Sequence, residues 1–427
     1  MKQIKYIFLV TLAFSICSCN IDELPNPNGP SIEGVLLDAN KSELQTLVTG
    51  SEDLLRQEVG FYYDVVSIIG REYYFFTGSD PRYTGELLGK GDATLDNAGF
   101  YGTRPYFGRY RNVKNLNVLI DAASVSSSIT AAELKGYLGF AKTFQAYELS
   151  LVANLQFDNG IRTDVSDIDN LGPFRSYNEA LADILALLDE ANSDLSGSEF
   201  AFNLSSAMAD FNTPATFAKF NRALSARIAL YLGNKSDAVS RLAGSFMTDD
   251  VSNPSRFYSS AGGDFLNNLF RVPGQADAII AHPSYAADAE AGDARLAKVL
   301  ERDTLSLDGL SGTYDVWVYK SNGDFVPFIT RAELMLINAE ANIGSDNGKA
   351  VSIINTIRSN NGVADYTGAT TDAALINEVL YQRRYSLFGE GHRWIDMRRF
   401  GKLSELPIDR VGDDVWVQLP RPVSEPQ

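Results

Sequence analysis

Two stretches of the chain share one design, and it restricts the fold more than any other feature. Between 223 and 238, an apolar run ending in Leu230-Tyr231-Leu232 stops at Gly233 and restarts at Lys235-Ser236-Asp237-Ala238. Between 339 and 350, Ala339-Glu340-Ala341-Asn342-Ile343 stops at Gly344 and resumes at Lys349-Ala350. Glycine closes a helix in the left-handed conformation at little cost, and small alanines let the returning helix approach closely. Both stretches therefore read as antiparallel helix pairs of the tetratricopeptide kind. Their glycines stand 111 residues apart, so no strict repeat period runs through the chain. The pairs are scattered and degenerate, with long insertions between them.

Helical spacing continues elsewhere. Residues 131–155 place Leu134, Leu138, Ala141, Phe144, Leu149 and Val152 on one face, and 177–195 do the same with Ala180, Ile184, Leu187, Leu188, Ala191 and Leu195. Segments 216–232, 330–343, 350–357 and 373–388 read alike, with Thr130 (followed by Glu133) and Thr371 as predicted helix caps. The pattern predicts a mainly α fold: a degenerate tetratricopeptide-like superhelix forming a single body over 35–427. Loop insertions interrupt it near 64–107 and 248–325. Residues 61–110 hold thirteen aromatics, about twice the chain average, spaced by Gly, Asp and Pro. Loops that long inside a compact body are usually functional.

The first residues set the address. Lys2 and Lys5 precede an apolar run from Ile7 to Phe14, then Ser15-Ile16-Cys17-Ser18-Cys19. That run is too short to span a bilayer and has the form of a secretory signal over 1–18. Ile16, Ser18 and Cys19 resemble a bacterial lipobox, which makes Cys19 the predicted lipidation site and places the protein at a membrane surface. Residues 19–34 carry Pro25, Pro27 and Pro30 among Asn and Gly, an extended tether. Its acidic pair Asp22-Glu23 resembles surface-export signals of Gram-negative lipoproteins.

Composition narrows the chemistry. The net charge of −17 argues against nucleic acid as a partner. Only His282 and His392 are available, so no multi-histidine metal centre can form, and both cysteines precede residue 20. No cofactor loop is found: Gly85-Glu86-Leu87-Leu88-Gly89-Lys90-Gly91 has the wrong glycine spacing for a phosphate loop and no Ser or Thr after the lysine. No nucleophile-elbow motif occurs in a strand–helix context. The densest polar cluster is 382–401, with Glu390, His392, Arg393 and Asp396. It reads as a structural corner between two helices, tied by arginine–carboxylate forks with Trp394 and Phe400 in the core, in preference to an acid–base centre.

Several of these segments resemble one family. Arg331-Ala332-Glu333-Leu334-Met335-Leu336-Ile337-Asn338-Ala339-Glu340-Ala341 is similar to the R-x-A-E-x-x-L-x-x-A-E-A helix of the SusD/RagB family. Residues 381–401 resemble its C-terminal stretch around G-H-R-W-x-D-L-R-R-x-G, 106–117 its aromatic N-terminal helix, and 419–425 its proline-rich ending. The lipoprotein start matches as well. The resemblance implies an outer-membrane, cell-surface lipoprotein without catalytic activity. Such a protein binds nutrients, usually glycans, and caps a SusC-like TonB-dependent transporter.

Pyranose rings stack on aromatic faces, while Asp, Asn and Arg bond their hydroxyls. The predicted ligand contacts are therefore loop residues: Tyr73, Asp80, Arg82, Tyr83, Asp96 and Tyr101 from the first insertion, Tyr285 and Trp317 from the second. Phe61, Tyr62, Tyr63 and Tyr110 continue helical spacing and are predicted core. Two other readings remain at this point: a tetratricopeptide lipoprotein scaffold for outer-membrane proteins, and a polysaccharide-cleaving enzyme. Peptide or another nutrient could also replace glycan.

Overall fold

The structure is a computed structural model and describes residues 32–425; the signal segment, Cys19 and the tether as far as residue 31 lie outside the described residues. Helices form where apolar spacing and a capping residue coincide. Glu133 N–H donates to Thr130 Oγ1 at 3.1 Å while Thr130 N–H donates to the Glu133 carboxylate at 2.8 Å, a reciprocal cap that opens the helix Ala131–Gln156. Thr371 caps Asp372–Ser386, as predicted. In order the helices are α1 Ile32–Asp38, α2 Lys41–Arg56, α3 Val59–Ile69, α4 Phe100–Val125, α5 Ala131–Gln156, α6 Tyr177–Leu195, α7 Pro214–Tyr231, α8 Lys235–Ala243, α9 Pro283–Ala287, α10 Arg331–Asn342, α11 Asn347–Asn360, α12 Asp372–Ser386 and α13 Arg393–Arg399.

From α4 to α8 each helix packs on the next, and α8 then packs on α10, which pairs with α11 and α12. The two glycine-closed pairs, α7/α8 and α10/α11, are therefore neighbours in space. Gly233 and Gly344 take φ of 79° and 91°, and Lys235 Nζ donates to Ile343 O at 2.8 Å across the pair boundary. The 111-residue separation is an insertion looped out between stacked repeats. Ala223, Ala226, Ala229, Ala238 and Ala339 are fully buried at the close helix approaches. One apolar cluster extends from Val35 to Leu419.

The insertions are better ordered than predicted. α3 continues to Ile69 and α4 starts at Phe100, so the first insertion is 70–99 rather than 64–107. Strand β1 Tyr73–Phe76 lies in it. Short pairs are made by β2 Ile161–Arg162 with β3 Phe174–Arg175, and by β4 Ser255–Arg256 with β8 Val326–Pro327. The second insertion holds β5 Ala278–Ala281 and the hairpin β6 Val299–Leu307 and β7 Leu310–Val316. These join β1 in an antiparallel sheet of order β1-β5-β7-β6. Tyr73 pairs with Ala281 and Phe76 with Ala278, so the two insertions predicted as separate loop regions are tied together by backbone hydrogen bonds. Among the described residues no helix is long and apolar enough to cross a membrane.

Candidate ligand-binding site

Four of the predicted ligand contacts are core residues, and this corrects the sequence reading. Tyr73 lies in β1, 2% exposed, with its hydroxyl donating to Asp64 Oδ1 at 3.2 Å. Tyr83 packs on Phe75 and Phe100, with ring centroids 4.5 and 5.3 Å away. Tyr101 is fully buried, its hydroxyl donating to the Glu86 carboxylate. Tyr285 stacks between Tyr385 and Phe388, and its hydroxyl donates to Arg295 O at 3.1 Å. The physical reason is common to all four. These Gly- and Asp-rich insertions fold back onto the body, which supplies the apolar company their rings lack, and in Tyr73, Tyr101 and Tyr285 a single hydroxyl hydrogen bond suffices to bury the ring.

The polar candidates lie nearer the surface. Asp80 accepts from Arg82 N–H at 3.0 Å and pairs with its guanidinium at 2.6 Å, which holds the half-exposed Asp80 carboxyl below its usual range. Arg82 in turn covers the Phe100 ring at 4.5 Å. Asp96 is exposed and accepts from Ala98 N–H at 2.8 Å. Trp317 follows β7 and is half-buried. Its ring is 6.0 Å from that of Phe270 and lies under Lys320 Nζ at 4.8 Å.

The loop that follows Trp317 carries part of an aromatic patch that sequence reasoning did not assemble. Among the described residues Phe265 and Phe325 are the exposed aromatics, each 40% exposed, and they are linked through Phe257 and Arg56, whose guanidinium lies 6.0 Å from the Phe257 ring. Phe257 joins them, its ring 5.4 Å from Phe325. The Arg56 guanidinium at the end of α2 lies 4.9 Å from the Phe265 ring centroid and pairs with Asp264 at 2.6 Å. Desolvation pushes the Asp264 carboxyl up, but the Phe265 N–H and Arg56 outweigh it and hold the group below its ordinary value. Asp264 is therefore ionised at neutral pH.

The backbone under these rings is fixed. Asn267 N–H donates to Asn322 O at 2.7 Å and its side-chain amide to Asp324 O at 3.0 Å, locking 257–271 to 317–325. Asp324 accepts from the N–H groups of Lys320 and Ser321, tightening the second loop. The first loop seats on α3 at Gly60, where a Cβ would come within 2.4 Å of Asn268. Beside Gly60 stands a second aromatic–arginine group. Phe61, predicted core, is half-exposed, 5.5 Å from Phe100 and covered by Arg104 at 4.8 Å. Such a surface offers flat apolar faces edged by guanidinium and carboxylate groups, which suits a ligand with apolar ring faces and polar edges. The signal for Phe265 was present in sequence: it follows Gly262-Gly263-Asp264 with neither helical nor strand periodicity.

The polar cluster has the geometry of a brace. Arg227 from α7 makes two 2.6 Å bonds to Glu333 of α10, and His392 Nε2 lies 3.5 Å from the same carboxylate. Arg383 of α12 donates to Asp396 at 2.6 Å, and Arg399 bridges Asp396 and Glu340 at 3.0 and 2.9 Å. Glu390 lies 3.6 Å from Lys298, while burial raises its carboxyl above the usual range. Burial also pushes His392 down to about 4 despite Glu333, so the imidazole is neutral at pH 7. Arg393 is half-buried beside them. Trp394 is fully buried as predicted, whereas Phe400 at the end of α13 is only partly buried, packed against a small cluster of Leu380, Met397 and Leu406. Among the described residues no group of three or more His, Cys, Asp or Glu could hold a metal ion.

Comparison with known proteins agrees with this architecture. The SusD family model matches residues 314–412, which run from the end of β7 through α10, α11 and α12 to the α13 corner. No curated protein matches the chain by sequence. Among solved structures, a SusD superfamily protein from Bacteroides vulgatus is 16% identical over 90% of this chain and 96% of its own, with a TM-score of 0.69. Surface glycan-binding protein A from Bacteroides thetaiotaomicron, solved in complex with laminarihexaose, is 16% identical over 90% and 97%, with a TM-score of 0.67. Bacteroides fragilis NanU is 15% identical over 90% and 94%, with a TM-score of 0.63. The SusD/RagB resemblance read from the sequence motifs holds, in the fold and in the matched C-terminal sequence.

Proposed function

We propose that this chain is a cell-surface glycan-binding protein that captures oligo- or polysaccharide and delivers it to a SusC-like TonB-dependent transporter. It does so by binding alone, without cleaving the ligand. The observation that carries the reading is that Phe265 and Phe325 stand exposed on two interlocked loops and are linked through Phe257 and Arg56. A pyranose could lay its apolar C–H face on these rings and direct hydroxyls to Asp264 and the Lys320–Asp324 turn. Affinity per site would be modest, because desolvating sugar hydroxyls offsets much of the stacking gain. The glycan ligand of the structurally similar surface protein supports the class of ligand. Lipidation at Cys19 would hold the protein on the outer membrane at the cell surface, where two or more acyl chains give stable attachment.

The test is a gel-retardation screen of the mature protein against soluble polysaccharides, with reducing ends measured in the same samples. Retardation by at least one glycan without release of reducing ends is the expected result. Release of reducing ends would favour an enzyme. Retardation by none, together with capture of outer-membrane protein, would favour a scaffold.

A further inference from the structure

A cleft of ≈ 550 Å³ opens on the flank of α4, and none of its lining residues belongs to the aromatic loops. One wall is a single stripe of that helix: Phe107, Arg111, Lys114 and Val118 recur every three or four residues and share a face. The other wall is the segment after β2, which contributes Val165 and Ile168. That wall is held in place. Tyr110 hydroxyl donates to Arg162 O at 2.8 Å, Asn117 side-chain amide to Val165 O at 3.1 Å, and Gly172 N–H to Asp164 O at 3.0 Å. The cleft is thus built into the fold before any ligand arrives.

Its charge pattern is specific. The chain is strongly acidic, yet Arg111 and Lys114 stand exposed one turn apart on the cleft wall. Neither forms an ion pair among the described residues; Arg111 reaches only the neutral Gln57 Oε1, at 3.3 Å. The lining acid Glu425 is already engaged by Arg162 at 3.2 Å, and Asp121 lies two turns along α4 from Lys114. Two cations without an ion-pair partner, beside Phe107, Val118, Val165 and Ile168 and across from a segment that carries exposed Asp164, Asp167 and Asp169, match a ligand that is apolar along its body and anionic at the end that meets α4. A polyhydroxylated sugar fits poorly, since its hydroxyls would lose water against aliphatic walls. An acidic peptide meets the same objection through its backbone amides. The volume lies within the usual range for small-molecule sites, ~300–1,000 Å³.

We propose that this cleft binds a small amphiphilic carboxylate, of fatty-acyl or aryl type, with its head at Arg111 and Lys114 and its body between Val118 and Ile168. The site is separate from the aromatic loops and independent of what they bind. The experiment uses the full mature chain carrying Cys19→Ser, with isothermal titration of octanoate, 1-naphthoate and the uncharged 1-octanol. Octanoate or naphthoate should saturate a single site, and whichever binds tighter identifies the acyl or the aryl source. Octanol should bind at least tenfold more weakly. The double variant Arg111→Glu/Lys114→Glu should weaken the carboxylates at least tenfold and leave octanol unchanged. Ile168→Asp, on an exposed loop position, should weaken all of them. Equal binding of octanoate and octanol, unsaturable uptake, or indifference to the charge reversal would each overturn the proposal. Binding of an acidic hexapeptide without octanoate would assign the cleft to peptide and overturn it as well.

Discussion

Replacing Glu72 by Gln should stabilise the protein in alkaline solution and leave it unchanged in acid. Glu72 is 3% exposed, between α3 and β1, and its Oε1 accepts the Gly389 N–H at 3.1 Å. Its Oε2 has no hydrogen-bond partner among the described residues. Desolvation therefore dominates and raises the carboxyl from 4.5 to about 7, against the opposing pull of the nearby Ser67 hydroxyl, the Gly389 N–H and the Arg393 and Lys298 charges. The folded value lies above the unfolded one. The stabilising contribution is thus fully present below about pH 4.5 and is lost as pH rises through about 7. Each tenfold change in proton affinity is about 1.4 kcal/mol, so full ionisation of Glu72 costs the fold roughly 3 kcal/mol. Unfolding entropy of about 2 cal/mol/K per residue converts this to roughly 4 °C in a chain of this size. A glutamine side chain at this position would keep an acceptor for the Gly389 N–H and carry no charge. Calorimetric melting at pH 4.5 should give equal Tm for both proteins, and at pH 8.5 the Glu72→Gln variant should melt roughly 4 °C higher. A variant that melts lower at pH 8.5 would refute the reasoning, because it would mean the buried carboxylate stabilises the fold when ionised.

Three further outcomes are expected. His392→Ala should lower thermal stability by about 1–3 kcal/mol while glycan affinity stays unchanged, since it removes one member of the Arg227–Glu333 brace; unchanged melting with abolished binding would reassign the cluster. Glu148→Ala should destabilise by roughly 3–5 kcal/mol in chemical denaturation, because Arg109, with its side chain fully buried, pairs with it at 2.8 Å and would be left uncompensated. Cys19→Ser should move the protein from the outer-membrane fraction to the soluble fraction, and retention in the membrane would exclude Cys19 as the anchor.

The helical repeats were legible because their physics is local. Glycine at Gly233 and Gly344, a threonine cap with Glu133, and apolar residues every three or four positions all act within one turn or hairpin. The ligand site was legible only as a region. Whether a loop tyrosine faces water or the body depends on partners far along the chain: Tyr285 is buried by Tyr385 and Phe388, and β1 by β5. Trp317 lies just past the end of the strand at Val316 and is half-buried. Phe265 and Phe325 were missed because the bond that juxtaposes their loops, Asn267 to Asn322, joins two glycine-containing turns with no periodic signature. Stacking of α8 on α10 across the long insertion is likewise a tertiary fact that spacing along the chain does not record.

The central claim is that glycan binds on the aromatic loops, and isothermal titration of three single variants tests it most directly. Phe265→Ala, Phe325→Ala and Trp317→Ala would be titrated with the glycan that retards the wild-type protein most, alongside Tyr101→Phe, whose ring is fully buried. At least two of the three alanine variants should lose ~1–3 kcal/mol of binding free energy, roughly fivefold to 150-fold in affinity, while Tyr101→Phe binds as wild type. Wild-type affinity in all three alanine variants, with the proteins folded, would contradict the account and place the glycan elsewhere on the molecule.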